Sequence, residues 1–187
     1  QLYIESGALV FDGGNAQVTL EDISLVNNGT LTVFGTLEFR EESGNANQTV
    51  SGSGNFNLEA LDLNMQNHDL VLGNDLDLRG DLTFISGDLD LNGQDLNLGG
   101  NGLLVNERDA SRILTTSTGE VVLVTSKLNA PNLNNPSNLG VIISSPASWG
   151  TTTVRRGHLP PTNGSNTSLA RYYEILPTNN TNLDATL

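Results

Sequence analysis

Residues 58–98 contain Leu58-Glu-Ala-Leu61-Asp-Leu63, Leu70-Val-Leu72, Leu76-Asp-Leu78, Leu82-Thr-Phe84, Leu89-Asp-Leu91 and Leu96-Asn-Leu98, with Gly73, Gly80, Gly87, Gly93 and Gly99 in the gaps. Apolar residues two apart lie on one face of a strand, and the glycines mark where the chain turns. The triplets start at 61, 70, 76, 82, 89 and 96, so Leu61 leads to Leu82, Leu70 to Leu89 and Leu76 to Leu96. Three short strands per turn, at about twenty residues per turn, predict an all-β fold, a single-stranded parallel β-helix or β-solenoid.

Outward from this stretch the pattern is less regular. Residues 1–57 read as an N-terminal cap and first irregular coils: Leu2-Tyr3-Ile4, Ala8 to Phe11 and Gln17 to Leu20 are strand signals, followed by Ile23 to Val26, Leu31 to Phe34 and Leu37 to Phe39. A solenoid end exposes strand edges, so a cap is expected there. Arg40 to Asn47 reads as a polar corner loop. Residues 58–100 are the regular coils and 101–158 wider, looser ones, with Leu103 to Val105, Arg112 to Leu114, Val121 to Val124, Val141 to Ile143 and Thr151 to Val154 as strands. Asn129 to Asn138, with two prolines and five asparagines, reads as a loop. Residues 159–187 form a C-terminal segment with a break over Pro160 to Ser168 and one strand over Ala170 to Leu176. This segment is expected to lead into a further domain.

Composition narrows the function. The chain of 187 residues has a net charge of −13, no cysteine and few aromatics, so its core is aliphatic and neither disulfides nor thiolate metal sites are available. No run of about 18 apolar residues exists to span a membrane as a helix. Residues 1–57 carry seven acids against Arg40, residues 58–100 nine against Arg79, and residues 101–187 five against six cations. Such an acidic surface argues against nucleic acid and anionic lipid as partners. Gln1 suits the first residue of a mature secreted chain, and abundant Asn, Gly, Thr and Ser with few Lys suit an extracellular setting.

The residues that could carry chemistry form no constellation. A coil of about twenty residues brings Asp75 near Asp95, Asp62 near Asp81, and Asp69 near Asp88 or Asp90. Two carboxylates one coil apart repel by roughly 0.9 kcal/mol in water before screening, which a solvated face tolerates and calcium would relieve. The Gly-Gly-x-Gly-x-Asp calcium repeat is absent, since Gly99-Gly100-Asn101-Gly102 lacks the Asp, and no metal site is assigned. Paired carboxylates at roughly 5–9.5 Å also serve glycoside hydrolysis, but so many aspartates make such a pair unspecific. His68 and His158 read as surface or capping residues, and Arg155-Arg156 as a solvated strand end rather than an acidic-sugar site. Trp149, Tyr172 and Tyr173 are expected to cover the end of the core. Threonines at 115–116 and 151–153 are isolated clusters, unlike the flat ladder that ice binding needs. No nucleophile elbow, phosphate loop or zinc-helix motif occurs, so no catalytic or cofactor residue is assigned.

Three stretches carry a family resemblance. They are Gln1-Leu-Tyr-Ile-Glu-Ser-Gly-Ala-Leu-Val10; Leu89-Asp-Leu-Asn-Gly-Gln-Asp-Leu-Asn-Leu-Gly99 running on to Leu104-Val-Asn-Glu-Arg-Asp-Ala-Ser-Arg112; and Asn138 to Ser144, Thr153 to His158, Arg171 to Ile175 and Pro177 to Leu187 together. The chain resembles the N-terminal region of large secreted surface proteins of Bacteroidota, of the class exported by type IX secretion. The resemblance implies a cell-surface scaffold, adhesin or fibre component and brings no catalytic residues.

The reading expected from sequence is therefore a non-enzymatic, extracellular structural solenoid, an adhesin or filament subunit. Its partners are expected to be other protein subunits, surface glycans or further copies joined end to end. The alternative is a polysaccharide-binding or polysaccharide-cleaving β-helix. Stacked aspartates further predict that mild acidification and added salt stabilise the fold.

Overall fold

The structure, a computed structural model, describes residues 1–44, 46–115, 120–158 and 171–187. The first coil consists of β1 (Leu2–Ile4) and β2 (Ala8–Glu21), the second of β3 (Leu25–Asn27) and β4 (Thr30–Arg40), the third of β5 (Gln48–Ser51) and β6 (Asn55–Asn64). The fourth coil has three separate strands, β7 (Leu70–Leu72), β8 (Leu76–Asp77) and β9 (Leu82–Ser86), as does the fifth, β10 (Leu89–Asp90), β11 (Leu96–Asn97) and β12 (Leu104–Val105). A sixth begins with β13 (Ile113–Leu114) and β14 (Glu120–Asn129), after which come β15 (Ser148–Gly157) and β16 (Tyr172–Pro177).

Successive coils stack in parallel as the triplet spacing requires. Leu61 lies over Leu82, Leu70 over Leu89 and Leu76 over Leu96. The first face has the order β1-β3-β5-β7-β10-β13, and another runs β2-β4-β6-β9-β12. The third is continuous with the leading halves of the long strands: Leu58 of β6 bridges Leu78 in parallel, just after β8, while Leu61 to Leu63 pair with β9. Thus β2, β4 and β6 each bend round a corner, with register breaks between Asp12 and Ala16 and between Val33 and Thr36. The step between coils is not constant: 19 residues separate Leu70 from Leu89, and 25 separate Leu25 from Val50. Corners absorb the difference, because a longer corner leaves the strand registers untouched.

The inward residues of every triplet are buried, from Leu58 through Leu98. Each such Leu contributes on the order of 1.5–3 kcal/mol, much of it against the coils above and below, so the coils hold one another in place. Corner backbones approach too closely for side chains. A Cβ on Gly54 would sit 2.3 Å from the Gly29 carbonyl oxygen one coil earlier. Beside it the buried Asn27 donates from Nδ2 to the Asn55 carbonyl at 2.8 Å and accepts the Gly29 N–H at 3.0 Å, satisfying backbone groups that leave the ladder at the turn.

Residues 1–57 are more regular than the sequence suggests, since β1 already pairs in parallel with β3, and β2 with β4. The polar loop after Arg40 is held rather than loose: the Asp22 carboxylate accepts the N–H groups of Glu42, Ser43 and Gly44. The wider parallel coils expected over 101–158 extend only to β14. There the chain reverses, and β14-β15 and β15-β16 are antiparallel. The segment between β14 and β15 includes a short 3₁₀ turn, Pro136–Asn138, and supplies the buried Leu139 and Ile143. Asn138 anchors it by donating from Nδ2 to the Leu104 carbonyl at 3.0 Å, so this segment seals the end of the stack beside β12. Trp149 is buried there and Tyr173 packs on the core with its hydroxyl donating to the Leu139 carbonyl, whereas Tyr172 stays partly exposed. The break read over Pro160 to Ser168, residues 159–170 generally, and Thr116 fall outside the described residues.

Candidate functional site

Of the aspartates of residues 58–100, Asp69, Asp75, Asp81, Asp88 and Asp95 lie at the corners, while Asp62, Asp77 and Asp90 lie in β6, β8 and β10. Asp75 accepts the Asp95 N–H at 2.8 Å, Asp81 the Leu103 N–H at 3.0 Å, Asp88 the Arg112 N–H at 2.8 Å and Asp90 the Asn92 N–H at 2.9 Å. Three of these bonds join adjacent coils, so those carboxylates stitch the stack as well as solvate it. The sequence brings Asp75 and Asp95 together as expected. Asp62 instead lies against Thr83, not Asp81, because the register is one that aligns Leu61 with Leu82. Burial raises the Asp62 pKa, with the Glu38 charge adding to it against a Thr83 hydrogen bond. Asp69 is also raised, by burial first and then by the Asp88 and Asp90 charges. Among the described residues no group of three or more His, Asp or Glu side chains is placed to hold a metal ion.

His68 caps a turn, as its context suggests, with Nδ1 at 2.7 Å from Glu41 Oε1. Glu41 also accepts the Asn67 N–H, and that bond leads the lowering of its pKa.

The Arg155-Arg156 pair departs from the sequence reading. Arg155 is partly exposed and 3.6 Å from Glu174, but Arg156, the next residue along β15, is completely buried. Its guanidinium meets Glu107 at two points, Nη1 to Oε2 at 2.7 Å and Nη2 to Oε1 at 2.9 Å, and also donates to the Leu139 carbonyl. Arg156 Nε donates to His158 Nε2 at 3.2 Å, which makes that nitrogen the acceptor and leaves the proton on Nδ1. Glu107 further accepts the Ile113 N–H and lies 3.4 Å from Arg171 Nη2. Burial acts to raise the Glu107 pKa, yet the Arg156 hydrogen bond and charge, with Ile113 and Arg171, bring it below the usual carboxylate value. Burial, and then the Arg156 and Arg171 charges, push His158 down to about 3, so its ring is neutral at physiological pH.

Beside this cluster Arg112, Ile113, Leu114, Thr115, His158 and Arg171 line a cavity of about 140 Å³. A larger cavity of about 320 Å³ lies on the acidic side, lined by Thr30, Gly54, Asn55, Phe56, Asn57, Asp75 and Asp77. Sequence reading did not single out Glu107 or Arg112. Glu107 sits in the turn around the Arg108–Ser111 bridge, where no periodic signal exists to mark it.

Fold and cluster together define an all-β parallel solenoid closed at its C-terminal end by an antiparallel sheet and an internal ion pair. Comparison with protein-family models, with curated proteins and with solved structures gives no match, so the class is carried by the fold alone.

Proposed function

We propose that the chain is a non-enzymatic structural β-solenoid of the cell exterior, acting as an adhesin or a filament subunit through end-to-end contact. The observation that supports this is the contrast between the two ends. The last coils are covered by the segment over 139–149, whereas among the described residues no strand pairs with the outer edges of β1 and β2. Four apolar residues of this first coil, Leu2, Leu9, Phe11 and Val18, are only partly buried, while Ile4 and Leu20 are buried. An unpaired edge beside an incompletely covered core is a template for another strand layer. The exterior setting fits the acidic, cysteine-free composition and the resemblance to Bacteroidota surface proteins.

The test is self-association of the purified chain, followed by light scattering and electron microscopy over a wide concentration range. Ordered end-to-end particles are expected, and Leu9→Asp, which places a charge on the uncovered end, should disperse them. Monomers at every concentration would remove filament formation and leave adhesion. A glycan-binding or glycan-cleaving β-helix is the second reading, favoured by the cavity that Asp75 and Asp77 line. A glycan array and a reducing-sugar assay with Asp75→Asn and Asp77→Asn address it: cleavage lost in either variant would replace the non-enzymatic reading.

A further inference from the structure

We propose that the cavity bounded by Arg112, Arg171 and His158 is a binding site for the carboxylate of a small organic acid. This site stands independently of end-to-end assembly. The chain has eight cationic side chains among 21 acids, yet three of the eight, Arg112, Arg156 and Arg171, gather around this one cavity. Glu107 is the acid within the cluster, and both its oxygens are taken by Arg156. Arg112 is exposed, and its guanidinium makes no hydrogen bond or ion pair with the described residues, although its backbone N–H is held by Asp88. Arg171 reaches Glu107 only at 3.4 Å and is well exposed.

His158 supplies the third donor. Its Nε2 accepts from Arg156, so its Nδ1–H is free to donate, and among the described residues that hydrogen has no partner. Two guanidinium forks and one neutral N–H match the flat, multiply accepting edge of a carboxylate. Ile113 and Leu114 in the wall favour a carboxylate carried on a carbon frame over a bare inorganic ion. The neighbouring Arg156 guanidinium is locked by Glu107, and its Nε holds His158 Nε2, which fixes the orientation of the ring.

Sodium acetate and sodium galacturonate, titrated at constant ionic strength into the ¹⁵N-labelled chain, test the site, with neutral galactose as control. The expected result is a saturable shift of the His158 imidazole signals, with those of His68, which lies outside the cavity with its Nδ1 held by Glu41, unmoved. Arg112→Gln should weaken binding roughly tenfold or more, the loss of a charge-assisted donor pair. Arg171→Gln should weaken it as well, and Arg155→Gln, which faces Glu174 outside the cavity, should not. Because Arg112 and Arg171 are exposed, thermal melts of these variants are expected to stay close to the parent. A His158 signal that fails to saturate with either acid overturns the proposal, and so does binding that persists unchanged in both Arg112→Gln and Arg171→Gln. Equal affinity for galactose would likewise refute a carboxylate site.

Discussion

Arg156 and Glu107, 49 residues apart, form a two-point ion pair with Nη1–Oε2 at 2.7 Å and Nη2–Oε1 at 2.9 Å, and Arg156 has no solvent exposure. The pair ties the turn after β12 to the antiparallel strand β15, the junction where parallel stacking ends. Removing the acid strands a cation in the core, and burying an unpaired charge costs about 3–5 kcal/mol. Glu107→Ala should therefore lower the urea midpoint sharply with the slope unchanged. The double variant Glu107→Leu/Arg156→Met, which removes both charges, should recover most of that loss. If the single and double variants unfold alike, the junction depends on the shape of these side chains and not on their pairing.

The same cluster sets the response to acid. The pKa of His158 is about 3 when folded against 6.5 in the free side chain, so between these values the unfolded chain takes up a proton that the folded chain refuses. Stability present above pH 6.5 is then lost as pH falls, by up to about 1.4 kcal/mol per pH unit. Glu107 and Glu38, both lowered, lose their contributions further down, as pH passes below the ordinary carboxylate range. Mild acidification should thus destabilise the fold through this cluster, against the gain expected from the stacked aspartates. Urea unfolding at pH 7, 6 and 5 measures this, and His158→Gln, which keeps an acceptor for Arg156, should flatten the profile across that interval.

Gly87 illustrates how closely the coils approach. Its φ is +76°, and a Cβ there would lie 2.0 Å from the Met65 carbonyl oxygen and 2.5 Å from the Met65 Cβ. Both contacts involve rigid atoms of the coil beneath, so the coil itself would have to part. Gly87→Ala should cost at least about 3 kcal/mol, combining left-handed strain with the steric clash. Ser111→Ala, which only removes the hydroxyl donating to the Gly87 carbonyl at 2.6 Å, should cost about 1 kcal/mol. Melting temperatures of the two variants check the ordering, and a Gly87→Ala melt equal to that of Ser111→Ala would contradict it.

What the sequence makes legible follows from how local the signal is. The pairs Leu61–Leu82, Leu70–Leu89 and Leu76–Leu96 could be counted because alternation and glycine corners are short-range features. The bends within β2, β4 and β6 could not, since a strand that turns a corner at a register break reads as two strands. The switch to antiparallel pairing at β14 leaves no mark, because β14 and β15 are joined by an irregular segment rather than by a hairpin turn. Arg156 was hidden for a related reason. Its burial depends on Glu107, a partner from a different coil, and an Arg-Arg pair read alone looks solvated.

Asp69 is the position where like charges are predicted to weaken the fold. Its carboxylate is half-buried, and burial, followed by the Asp88 and Asp90 charges, raises its pKa above the ordinary value. A carboxylate raised on folding opposes folding once it ionises, so the penalty is present at neutral pH and relieved as pH falls through the folded pKa. Asp69→Asn keeps an oxygen to accept the Asp88 N–H while removing the charge. It should stabilise the chain at pH 7 by about 0.5 kcal/mol after solvent screening, one to two degrees in melting temperature for a chain of this size. Sodium chloride should stabilise the parent by weakening the same repulsion, and do so less in the variant. Asp75→Asn is the contrasting case, because its carboxylate is exposed while its oxygen likewise accepts a neighbouring N–H, that of Asp95, so removing its charge should change stability little. Melts of all three proteins at low and high salt separate the effects, and a salt response that survives undiminished in Asp69→Asn would place the repulsion elsewhere on the stack.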